Sequence, residues 1–255
     1  MKKGIITLIS ISLFYMSSGQ EISQLKPGIM KASFFTEAKT DFRVVKLENA
    51  IAQHEAQKPQ DWNYLVELVK SQKDDYSKVA YANLIANQIP YIDGTDGSYF
   101  SPLKGIKRGG VVCKDYAMFK YFLLKEAGYP IDKMALLVHQ SVENPKEGAH
   151  VVLIVDIDDE LWIANQFWRS TSTSFYKEHS INPAKFSKQI KTEGVSALMT
   201  VFDVQNNKYN EASLTRLKDY RFPDRLVLSI LNENGVMNSK LLDTMKTIKS
   251  KRKLG

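Results

Sequence analysis

A helix-periodic stretch that begins at the chain's one cysteine and runs directly into three compact apolar segments leaves few folds open. From Cys113, apolar positions Ala117, Met118, Tyr121, Phe122 and Leu124 recur at helical spacing, and Gly128, Tyr129 and Pro130 supply the stop. Residues 134–138, 150–155 and 161–167 are short apolar runs of strand length, and the last two are separated by the acidic turn 156–160. Two strands joined by a tight polar turn predict a hairpin. A helix followed by antiparallel strands predicts an α+β architecture, with the Cys113 helix laid against the sheet.

The flanks complete a chain of 255 residues, enough for one sizeable core. Trp62, Leu65, Val66 and Val69 predict a helix, and Val79, Ala82, Leu84 and Ala86 a second. Residues 93–98 read as a loop, Ser101-Pro102 opens a short helical turn, and Gly109-Gly110 ends it. Residues 183–190 read as helix, 197–204 as a strand, and a basic helix begins near Ser239. The expected units are a 1–19 leader, a 20–59 polar arm, a 60–204 catalytic domain and a 205–255 extension.

Lys2 and Lys3 precede an uncharged, mostly apolar stretch from residue 4 to 16 and then Ser17, Ser18 and Gly19. This order of positive, apolar and small residues predicts a signal peptide cleaved near Gly19, so the mature chain is expected in the periplasm or secreted. The apolar part falls short of the ~20 residues that span a bilayer. An exported protein ordinarily pairs its cysteines or has none, so a lone Cys113 fits a nucleophile that pairing would inactivate.

The net charge of +7 is a mild excess. Its densest stretch, Lys246, Lys249, Lys251, Arg252 and Lys253, is suited to contact with an anionic surface. No nucleic-acid motif and no glycine-rich phosphate loop is present, which argues against a nucleic-acid partner. Four scattered histidines and one cysteine give no zinc spacing.

A thiol at the mouth of a helix gains from the backbone N–H groups and the dipole there, and Cys113 occupies that place. His150 opens one arm of the hairpin and Asn165 closes the other, so their side chains are expected on one face. In that arrangement His150 takes the thiol proton and Asn165 orients the imidazole. His139 is the rival base, Asp156 and Asp158 the rival third members, and His54 and His179 are expected at the surface. Lys114 adds positive charge that favours a thiolate, with Asp115 beside it. Tyr99, Phe100 and Trp162 are the expected walls of a groove for an extended peptide.

The run from Gly109 to Ala117, with Cys113-Lys114-Asp115-Tyr116-Ala117 at its centre, resembles the Cys-x-Asp-Tyr-Ala helix of transglutaminase-like proteins. Ala149-His150-Val151 and Leu161-Trp162-Ile163-Ala164-Asn165 resemble their His and acid strands. Together with Asn83, Asn87 and Tyr99-Phe100-Ser101-Pro102-Leu103, they are similar to the bacterial transglutaminase-like cysteine peptidases. That family includes exported enzymes related to a periplasmic protease that releases biofilm adhesins. The resemblance covers about residues 60–167. It implies a papain-like fold, a thioester on Cys113, a candidate calcium ion, and a protein or peptide substrate such as a cell-surface adhesin; the thioester chemistry itself needs no cofactor.

Two departures stand out. The family commonly has aspartate where this chain has Asn165, and papain-like enzymes work with asparagine there. It also carries carboxylates around the cysteine that resemble a calcium site, whereas this chain has Val111, Val112 and Lys114 and keeps only Asp115, which argues against calcium. Three functions follow: an endopeptidase, a transglutaminase or amidase using the same thioester, and a binding module without turnover.

Overall fold

The computed structural model describes residues 42–93, 97–141, 149–165, 176–177, 180–204, 214–220 and 226–231. The leader, the loop residues 94–96, Trp168, His179 and the basic tail lie outside the described residues.

Seven helices and five strands are present among the described residues. The helical layer begins with α1, Phe42–Ala56, and α2, Trp62–Lys70. Each buries one stripe at helical spacing: Leu47, Ala50, Ile51 and His54 on α1, and Trp62, Leu65, Val66 and Val69 on α2. Helix α3, Asp75–Asn87, starts where the Asp74 carboxylate accepts the Ser77 N–H at 2.7 Å. Helix α4, Pro102–Arg108, has Ser101 as its cap and proline in its first turn, where a missing N–H costs nothing.

Gly109 ends α4 with φ of 76°, and a Cβ there would lie 2.4 Å from the Ser187 carbonyl oxygen. At Gly110 a Cβ would lie 2.2 Å from the Ile92 side chain. The glycine pair therefore lets the chain leave α4 tightly and pass against the 90–92 segment, where Tyr91 bridges Val111. Helix α5, Cys113–Glu126, follows at once and is buried along almost its whole length.

Strands β1, Met134–Ser141, β2, Ala149–Ile157, and β3, Glu160–Ala164, follow α5. Asp158 and Asp159, with φ of 49° and 63°, form the two-residue connection between β2 and β3, which matches the twist of a hairpin. Beyond them lie α6, Pro183–Glu193, α7, Val195–Val204, β4, Leu214–Arg216, and β5, Leu226–Leu231. The sheet is antiparallel, in the order β4-β3-β2-β1-β5.

Alternation gives the sheet two faces. Leu136, Val138, Val151, Leu153, Val155 and Ala164 join the core beneath the helices. Ala135, Leu137, Val152, Ile154, Ile163 and Leu217 form a smaller cluster on the other face.

Three expectations are corrected. Residues 197–204 belong to helix α7 rather than to a strand, because Val195, Ala197 and Leu198 bury against the helical layer. His54 is buried, not at the surface: it lies between Trp62 and Phe122, with ring centroids 5.1 Å and 4.1 Å away, and its Nε2 is 2.6 Å from Glu126 Oε1. The packed unit also extends past residues 60–204 at both ends, since α1 enters the core and β4 and β5 edge the sheet.

Candidate active site

The helix mouth, the start of β2 and the end of β3 meet at one corner of the molecule. Strand β3 ends at Ala164, so the hydrogen-bonding edge of β2 at Ala149 and Val151 runs on past it. Cys113, the first residue of α5, fills that edge. Its Sγ donates to the Ala149 carbonyl oxygen at 3.9 Å, and the Val151 and Lys114 backbone N–H groups are near enough to favour its anion. The thiol is therefore held by the main chain on both sides of His150, and Cys113 remains partly exposed.

His150 Nε2 lies 3.1 Å from Asn165 Oδ1. The β2–β3 register sets Leu153 against Ala164, so Asn165 is a diagonal rather than a direct neighbour of His150 on the same face. With the amide oxygen accepting the Nε2 proton, Nδ1 is left as the basic nitrogen of the ring.

Burial favours the neutral form of both Cys113 and His150. Burial pushes the Cys113 thiol above its ordinary value, against the pull of the Val151 and Lys114 N–H groups and the Lys114 charge. Burial also lowers His150; the Asn165 bond pulls it back up and the Lys120 charge adds to the lowering. Desolvation is therefore a larger influence on the thiol than the Val151 and Lys114 N–H groups or the Lys114 charge.

Below the corner, Asp115 is buried and accepts from Phe100 N–H at 2.9 Å and from Val112 N–H at 3.3 Å. The second bond is half of a capping box and starts the cysteine helix; the first ties the 99–101 segment to it. Lys114 Nζ sits 3.4 Å from both Asp115 oxygens and 5.1 Å from the Phe100 ring centroid. A calcium ion needs six or more oxygens. Here the one carboxylate beside Cys113 faces an ammonium, so Asp115 with Lys114 against it does not fit a calcium ligand.

Tyr99 and Phe100 are 6% and 5% exposed, so they act as a packed floor more than as an open wall. Trp162 is not at the corner, which corrects its expected place in the groove. It packs against Tyr76 on the helical side, at 5.3 Å between ring centroids, whereas His150 and Asn165 project from the other face. Residues 162 and 165 differ by an odd number, and alternation separates them.

Lys120 was not singled out by the sequence. It is 1% exposed, and its Nζ donates to the Ala164 and Asn165 carbonyl oxygens at 3.2 Å and 3.0 Å. Asn87 Nδ2 reaches the Asn165 carbonyl oxygen as well, at 3.1 Å. Together they pin the end of β3 to α5 and α3. The signal was present: Cys113, Ala117, Lys120 and Leu124 share one helical face, and a lysine amid that apolar stripe needs a buried partner.

A model of the transglutaminase-like domain family matches residues 40–192, more than half of the chain. No curated protein matches by sequence. Among solved structures, Legionella pneumophila LapG is 24% identical with a TM-score of 0.36, over 46% of this chain and 69% of its own. Its calcium-bound form is 19% identical with a TM-score of 0.37, over 79% of this chain and 98% of its own.

Proposed function

The chain belongs to the transglutaminase-like domain family, and from that premise we propose that it is an exported cysteine endopeptidase acting through a thioester on Cys113. The observation that carries the reading is the corner itself: a partly exposed thiol bonded to the backbone either side of His150, whose Nε2 is 3.1 Å from Asn165 Oδ1.

His150 Nδ1 takes the Cys113 proton as the sulfur attacks a peptide carbonyl carbon. The carbonyl oxygen gathers negative charge, for which backbone N–H groups around the sulfur are the donors. As the C–N bond breaks, the imidazolium returns its proton to the leaving amine, and the acyl group stays on sulfur. Water, deprotonated by His150, then cleaves the thioester and restores the thiol. Asn165 holds the ring with its amide oxygen and supplies no counter-charge, so the imidazolium is a less stable intermediate than beside an aspartate. The substrate is an exported protein, for which a cell-surface adhesin is the implied class.

The test is incubation of the chain from residue 20 onward with an unfolded protein substrate and a labelled primary amine. New peptide N-termini without amine incorporation are expected. Incorporated label in place of cleavage would assign the thioester to acyl transfer. No cleavage, no label and no alkylation of Cys113 by iodoacetamide at neutral pH would leave a binding module and end the hydrolase reading.

A further inference from the structure

An asparagine in place of an aspartate creates an orientation problem at the third position. The two oxygens of a carboxylate are equivalent, so a half-turn of the side chain changes nothing. The two ends of an amide are an acceptor and a donor. Turned the wrong way, Asn165 would present Nδ2–H to His150 Nε2, move the imidazole proton to Nδ1 and remove the base that Cys113 requires.

The face of the sheet away from α5 holds what fixes the amide. His139 on β1 stands directly across from His150, with ring centroids 5.0 Å apart. The short helical turn Leu217–Asp219 covers this face beside Leu137, Val152 and Ile163, and brings Tyr220 after it. Tyr220 Oη lies 3.4 Å from His139 Nε2, and the Asn165 side chain is near enough to the same phenol to favour its anion, as an amide N–H would. Four side chains from four parts of the chain, His139, Tyr220, Asn165 and His150, thus form one continuous network.

Resting on the Cys113–His150 reading, we propose that Tyr220, backed by His139, is a positioning residue that holds the Asn165 amide with its oxygen toward His150. His139 is 5% exposed, and burial keeps it neutral, held down to about 4, so one ring nitrogen is an acceptor. With the His139 proton on Nδ1, the Tyr220 hydroxyl donates to Nε2, and its oxygen then accepts from Asn165. Asn165 can meet that demand only with Nδ2, which leaves Oδ1 for His150. A turned amide disrupts both of its bonds at once. This gives a role to part of the 205–255 region, in which the sequence displays no motif.

The test is a double-mutant cycle on the rate of Cys113 alkylation by iodoacetamide at neutral pH. Tyr220→Phe is expected to slow alkylation by about 10-fold, the upper range for the net effect of one hydrogen bond. In an Asn165→Asp background, where orientation no longer matters, the same change is expected to cost several-fold less. Equal losses in both backgrounds would reduce Tyr220 to packing and overturn the proposal, as would no loss in the Asn165 chain. If His150→Ala leaves alkylation unchanged, the Cys–His reading has failed instead. Nitrogen-15 NMR of the His150 ring guards against a poorly folded variant. Nε2–H is expected in the unaltered chain, with a shift toward Nδ1–H in Tyr220→Phe; Nδ1–H in the unaltered chain, or an unchanged tautomer in the variant, would overturn the proposal.

Discussion

His150→Ala is expected to lower kcat for cleavage of a protein substrate by about 10³–10⁴-fold, with a much smaller change in KM. The size follows from the state of the sulfur. Burial raises the Cys113 thiol, so few molecules hold a thiolate at neutral pH without a base to form one. Peptide-bond cleavage also needs a proton for the departing amine, and on the proposed reading the same imidazole supplies it. His150 is partly exposed and opens β2, so its truncation should leave the melting curve close to that of the unaltered chain. Steady-state kinetics with a thermal melt separates the two effects. A loss below about 10-fold, with the fold intact, would mean that another group activates the sulfur.

Asp115→Ala should destabilise the fold by about 3–5 kcal/mol, by leaving a buried lysine without its carboxylate. Lys114 is 9% exposed and Asp115 2%, so water can do little to replace the lost partner. The same change strips the Phe100 and Val112 N–H groups of their acceptor at the base of the cysteine helix. Adding Lys114→Met to the variant should recover a good part of the loss, since the buried ammonium goes with it. Urea unfolding of the single and double variants reads both values. A cost under about 1 kcal/mol for Asp115→Ala would show that the pair is solvated and does not build the helix mouth.

Much of this arrangement could be read from the residues in order. The Cys113 helix and the 150–165 hairpin announce themselves because each element's apolar spacing, stop signal and turn residues agree, and every one of those signals is local. What escaped depends on distant partners. Residues 197–204 carry valine and phenylalanine and read as a strand, but a short apolar run does not fix its own period, and packing against the helical layer decided it. His54 sits among polar neighbours in sequence, while the groups that bury it, Trp62, Phe122 and Glu126, arrive from other helices. Trp162 was misplaced by a question of parity, which only the register settles. Lys120 and Tyr220 have no motif at all; their meaning lies in the carbonyls and the amide they meet across the fold.

On the proposed reading the cysteine helix mouth alone does not make a reactive thiol. The main-chain contacts that hold Sγ beside β2 also bury it, and the desolvation they bring exceeds the favourable pull of Lys114 and the N–H groups. On the proposed reading reactivity belongs to the pair, and its pH dependence should carry the signature of the imidazole.

That signature is measured most directly by the rate of iodoacetamide alkylation of Cys113 across pH 5 to pH 10. With His150 as the base, the rate should reach half of a plateau below the ordinary imidazole value of 6.5, because burial lowers the ring, and should stay level through neutrality. His150→Ala should abolish that plateau. A rate that instead climbs about tenfold per pH unit through neutrality, toward a midpoint above the ordinary thiol value of 9.0, would mean that the sulfur ionises unaided and would contradict the account.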